Sequence, residues 1–114
     1  MNYPPEADLT NAFQVAYSMD VQWSDWERSV LDTFMHGEKI LRLPAKQKKR
    51  KVILKWLASQ VPSETKISHS EFNRFIQRHH PDSATLRREM FEFGYVHRDR
   101  DHYWRDATPR EPTV

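Results

Sequence analysis

The fold is decided by Ser68–Arg105, SHSEFNRFIQRHHPDSATLRREMFEFGYVHRDRDHYWR. Ser68 with Glu71 three residues on forms a capping box, so a helix starts here. Phe72, Phe75 and Ile76 give it a buried stripe, with Asn73, Arg74, Gln77 and Arg78 turned away. Pro81 breaks this helix, and Asp82 or Ser83 caps the next, which runs to about Phe93 before Gly94. Tyr95–Arg98 and His102–Arg105 read as two strands of a hairpin around Asp99-Arg100-Asp101.

The chain before this stretch supplies the remaining elements. Ala45 to Val61 is the strongest helix: Ile53, Leu54, Leu57 and Val61 fall within roughly 100° of arc. Trp56 borders that face, Lys48, Lys51 and Lys55 lie opposite it, and Pro62 ends the helix. Lys66-Ile67 supplies a short strand. The order helix, strand, helix, turn, helix, hairpin predicts a winged helix-turn-helix, mainly α with a small β-hairpin. Its third helix, Ser83–Phe93, would enter the major groove and its hairpin would be the wing.

Further upstream, Lys39–Leu43 alternates as a strand closed by Pro44. Ser24 and Glu27 form a second capping box, opening a helix with Val30, Leu31 and Phe34 on its apolar side and Gly37 at its end. A weaker helix is expected over Leu9–Met19 after a flexible lead-in at Tyr3-Pro4-Pro5. The expected organisation is an acidic helical extension (1–37), a winged-helix domain (38–106) and a disordered tail (107–114).

Composition narrows the function classes. With no cysteine among 114 residues, disulfides, thiolate metal sites and cysteine nucleophiles are excluded. No apolar run approaches the roughly 20 residues that span a bilayer. The start, MNYPPEADL, has neither the basic nor the apolar region of a secretory signal, so a cytoplasmic protein without membrane contact is expected. Net charge is +2 but unevenly spread. Residues 1–36 carry six acids and one base (−5), and residues 37–114 carry seventeen Lys/Arg and ten Asp/Glu (+7). Either the acidic arm folds back onto the basic body or the body meets an anionic partner.

Several motifs resemble a bacterial family, domain of unknown function 2087. They are Arg42-x-Pro44-x-Lys46-x-x-Lys49-Arg50, Ile53-Leu54 with Trp56-Leu57, Ser70-Glu71-x-Asn73, Asp82-x-x-Thr85-Leu86-Arg87-Arg88, Gly94-Tyr95-x-x-Arg98 and Tyr103-Trp104-Arg105. Together they span roughly Val30–Arg105. The resemblance implies a small winged-helix module, in some members joined to arsenic-repressor-type helix-turn-helix regulators, and hence a role in transcription.

The residues offer these candidate sites. Lys46, Lys48, Lys49 and Arg50 cluster at a helix N-terminus, where cations oppose the macrodipole; phosphate contact explains that placement, and a solvated face is the plainer account. Arg74 and Arg78 would join them in positioning DNA. On the helical wheel Arg87 borders the apolar strips and is expected to serve the fold, while Arg88 and Thr85 face outward, toward base edges. Glu89 and Glu92 share that outward face, giving it a net −1. Arg98 and Arg100 belong to the wing, where Asp99 and Asp101 bracket Arg100. Tyr95, Val96, Tyr103 and Trp104 are expected to pack, with base stacking by Tyr103 as a lesser option.

Six histidines lack helix-spaced carboxylate partners, so no metal or cofactor is expected. The serines Ser24, Ser68 and Ser83 read as caps, and two glycines make no phosphate loop, so no enzyme is expected. Trp23 and Trp26 either complete the core or form the interface of a homodimer. Two readings remain open: a regulator that binds duplex DNA, or a winged-helix adaptor that binds another protein.

Overall fold

The computed structural model describes residues 21–106. The lead-in at Tyr3-Pro4-Pro5, the helix expected over Leu9–Met19 and the tail at 107–114 lie outside the described residues.

Helix α1 (Asp25–Phe34) begins at the anticipated capping box. Glu27 N–H donates to Ser24 Oγ at 3.1 Å, and Ser24 N–H to Glu27 Oε1 at 2.8 Å. Its end differs from expectation. The helix stops at Phe34, and Met35–His36 (β1) pairs antiparallel with Lys39–Ile40 (β2). Gly37 therefore sits in a tight hairpin turn at φ 63°, a conformation that penalises any residue with a Cβ. The boundary expected between residues 37 and 38 falls inside this turn. Of the strand expected over Lys39–Leu43 only the first two residues form β2, and Leu41 N–H adds one more bond in the same register, to Phe34 O at 2.8 Å.

Helix α2 (Gln47–Gln60) is buried from Val52 to Ser59, all round its circumference. This corrects the placement of Lys55 on a solvent face. Lys55 is 1% exposed, and its Nζ donates to Gln22 O at 2.9 Å and to Glu27 Oε2 at 3.0 Å. The reason is α1, which covers the side of α2 that an isolated wheel leaves wet.

Strand β3 (Ile67–Ser68) leads into α3 (His69–Gln77), whose capping box between Ser68 and Glu71 is formed. Helix α4 (Ser83–Glu92) is capped by Asp82, which accepts from Thr85 N–H at 3.3 Å. Ser83, the other cap candidate, is buried at the helix start. Gly94 follows at φ 82° and releases the chain into β4 (His97–Arg98) and β5 (His102–Trp104), shorter than the four-residue strands expected.

The second sheet has the order β3-β5-β4, all antiparallel, with Ile67 opposite Tyr103 and Arg98 opposite Tyr103 on the other side. Among the described residues, four helices and two small antiparallel sheets make a mixed α+β fold, with the elements from α2 onward in the order expected from the sequence. One core serves everything described. Val30, Leu31 and Phe34 of α1 share it with Trp56 and Leu57 of α2, Phe72 and Ile76 of α3, Leu86 and Met90 of α4, and Tyr103 of β5.

Candidate nucleic-acid interface

Helix α4 is held from behind and lies open in front. Leu86 and Met90 are fully buried, whereas Ala84, Arg88, Phe91 and Glu92 are exposed. Arg87 donates from its guanidinium to Asn73 Oδ1 on α3, joining α4 to α3. Its role in the fold is as the wheel placed it, but the acceptor is an amide on a helix residue expected to face away. Arg88 is 60% exposed, with only a loose 4.0 Å approach to Glu92. An exposed pair of this kind contributes little and leaves Arg88 available.

Glu89 does not share that outer face. Arg50 grips it bidentately, Nε to Oε1 at 2.9 Å and the second amino group to Oε2 at 3.0 Å, and also donates to Pro44 O at 3.3 Å. Two changes follow for the expected site. Arg50 is engaged inside the protein rather than presented to phosphate. The front of α4, reduced to Arg88 and Glu92, is neutral rather than negative. Thr85 is half-buried and serves the cap: its hydroxyl and amide hold Asp82 below the usual carboxylate range.

The first turn of α2 flanks α4 on one side, with Lys46 and Lys48 exposed and Lys49 half-buried. Lys48 Nζ lies 5.6 Å from the centre of the Trp26 ring, and Lys51 Nζ lies 4.9 Å from that of Phe93. On the other side the hairpin leans on α4, its Arg98 guanidinium 4.0 Å over the Phe91 ring. Cations seated on aromatic faces are held in place without losing their charge to a carboxylate.

The tip of the β4–β5 hairpin is tight. Asp99 Oδ1 accepts from the N–H groups of Asp101 at 2.9 Å and His102 at 2.8 Å, and Oδ2 takes Lys66 Nζ at 3.0 Å. The Asp101 amide first, and then Lys66, hold the Asp99 carboxyl far below its ordinary value. Asp99 is thereby committed to its own turn and to Lys66, and Arg100 stands exposed beyond it. Between α4, the start of α3 and this tip is an open cavity of about 400 Å³ lined by His69, Phe91, Arg98, Asp99 and Arg100.

Other expected site residues fall elsewhere. Arg74 and Arg78 are exposed on α3 but line a different groove, to which α4, β4 and β5 contribute no residue. Trp23 is buried beneath Lys55 Nζ at 4.7 Å, while Trp26 is 44% exposed. Tyr103, 1% exposed and stacked on Phe72 at 4.5 Å, presents no face for a base. Among the described residues no cluster of His, Asp or Glu is arranged to hold a metal ion. Among them, too, no helix is long and apolar enough to cross a membrane.

His79 is a buried group that the sequence did not single out. Its Nδ1 meets Glu38 O at 2.5 Å, and its backbone oxygen accepts from Ile40 N–H at 2.9 Å, fastening the β1–β2 hairpin to the end of α3. Burial lowers its pKa from the ordinary imidazole value.

A family model described as "Uncharacterized protein conserved in bacteria", domain of unknown function 2087, matches residues 39–105. The chain belongs to this family. No curated protein and no solved structure matches it. The domain 2087 match begins at β2 rather than at Val30 and ends with Arg105, taking in α2, α3, α4 and the three-stranded sheet. Helix α1 and strand β1 stand outside the matched range, although Val30, Leu31 and Phe34 fill the same core.

Proposed function

We propose that this domain binds duplex DNA, as a small non-enzymatic regulator of transcription in the cytoplasm. The observation that carries the reading is the Arg50–Glu89 pair. By drawing Glu89 toward α2 it takes one of the two expected carboxylates off the front of α4 and leaves that face neutral. Arg88 can then approach base edges, while Lys46, Lys48 and Lys49 on one flank and Arg98 and Arg100 on the other contact phosphates. The short wing confines Arg98 and Arg100 to the backbone beside the groove that α4 enters.

Titrating the protein against a fluorescent random duplex at low salt tests this reading. Arg88→Ala is expected to weaken binding by about tenfold, on the scale of one charge-assisted hydrogen bond. An unchanged affinity removes α4 from the interface.

A second reading, an adaptor for another protein, draws on exposed apolar side chains: Trp26, Phe91 at 36% and Leu41 at 60%. It predicts no duplex binding at low salt, and a second copy of the chain as one partner that a solution mass would reveal.

A further inference from the structure

Arg74 and Arg78 occupy a groove of about 480 Å³ on the side of α3 that does not carry Asn73, and we infer that it binds a small organic anion with an apolar body. One wall is the α3 stripe of Glu71, Arg74, Phe75 and Arg78, at the i, i+3, i+4 and i+7 spacing of a single helix face. The other is the connector from α2 to β3, where Val61, Pro62 and Ile67 supply apolar surface and Gln60 and Thr65 supply polar groups. The volume lies within the range of small-molecule sites, and the lining has their usual composition of an apolar floor and a few convergent polar groups.

The charges in the groove favour an anion. Glu71 is turned to its own helix start, where its Oε1 accepts from Ser68 N–H at 3.4 Å and from Ser68 Oγ–H at 3.1 Å. Lys66 is directed to Asp99 and the Trp104 ring. Arg78 lies over the Phe75 ring at 5.7 Å, its charge intact, and no ion pair within 4.0 Å is formed by Arg74 or Arg78 among the described residues. Two arginines one helical turn apart can each donate to a different oxygen of a carboxylate or phosphate held between them, and the floor of Val61, Ile67 and Phe75 offers apolar contact to a ring or short chain.

The connector wall is fixed before any ligand arrives. Arg105, 4% exposed, donates Nε–H to Val61 O at 2.6 Å, and its backbone oxygen accepts from Glu64 N–H at 2.7 Å. Glu64 itself is held at φ 55°, and the bend at Ser63–Thr65 is fastened to Arg105, the residue after β5. A preformed wall spares a ligand the cost of ordering it. The site does not depend on the DNA reading, because none of its residues comes from α4 or the wing.

The test is an NMR titration of the full chain, without DNA, using phenyl phosphate, inorganic phosphate and benzyl alcohol as probes. Phenyl phosphate is expected to shift the amides of Thr65, Lys66, Phe75 and Arg78 saturably. It should bind at least about tenfold tighter than inorganic phosphate, because the ring buries apolar area, and tighter than benzyl alcohol, which lacks the charge. Arg74→Gln with Arg78→Gln should weaken it by about tenfold or more while the melting midpoint stays within about 2 °C. Arg74→Gln alone should give a smaller loss, which keeps the test decisive if the double variant folds poorly. Non-saturable shifts, equal affinity for the two phosphates, shifts centred on Lys46–Lys49, or undiminished binding in the variants would each overturn the inference.

Discussion

Arg50 and Glu89, thirty-nine residues apart, are joined by two parallel hydrogen bonds of 2.9 and 3.0 Å that tie the first turn of α2 to the middle of α4. The pair is partly buried, its side chains 22% and 16% exposed. Arg50→Ala or Glu89→Ala is therefore expected to lower stability by about 1–2 kcal/mol, or roughly 5–10 °C in melting midpoint. A double-mutant cycle should return a coupling of about 1 kcal/mol, and strict additivity would show that the pair is incidental.

The adjacent arginines of α4 should separate cleanly. Arg87→Ala removes the hydrogen bond to Asn73 and should lower the melting midpoint by several degrees, on the scale of ~1 kcal/mol. Arg88→Ala, at an exposed position, should leave the midpoint within about 2 °C of the parent. The reverse pattern would mean that their assignment to fold and partner is inverted.

Lys55 links the chain before α1 to the core of the domain. Lys55→Ala removes the donor to Gln22 O and Glu27 and leaves Glu27 facing an apolar gap, at an expected cost of about 2–4 kcal/mol. Limited proteolysis should then cut near residues 21–27 first. A variant as stable as the parent would show that α1 is held by its apolar side chains alone.

His79 supplies a pH dependence. Its folded-state pKa is lowered by burial, so the unfolded chain binds more protons in the window just below the ordinary value of 6.5. The stability linked to its neutral form is complete above that value and is lost as pH falls through the folded pKa. Melting midpoints taken at falling pH should therefore drop more steeply in the parent than in His79→Gln. Parallel profiles would show that His79 carries none of the acid sensitivity.

The elements were legible wherever local chemistry determines them. Ser24 with Glu27 and Ser68 with Glu71 closed their capping boxes, and Gly94 released the chain from α4 at positive φ. Gly37 was misread because a glycine ending a helix and a glycine turning a hairpin need the same backbone freedom. The difference lies in the pairing of Met35 with Ile40, which no local signal carries. The candidate site was legible in its parts but not in its pairings. Glu89 looked exposed on its own wheel and Arg50 looked like one of a basic cluster, and only the packing of α2 against α4 brings them together. Lys55 was misplaced for the same reason, since a wheel drawn for α2 alone does not contain α1. Arg74 and Arg78 looked like part of one basic surface, until the fold turned them into a separate groove.

The most direct test of the central claim is the salt dependence of binding to a random duplex, followed by fluorescence anisotropy. With Lys46, Lys48, Lys49, Arg98 and Arg100 as phosphate contacts, affinity should fall by about five hundredfold between 50 and 200 mM salt. Absence of measurable binding at about 50 mM salt, or binding that ignores salt, would contradict the DNA reading and leave the adaptor in its place.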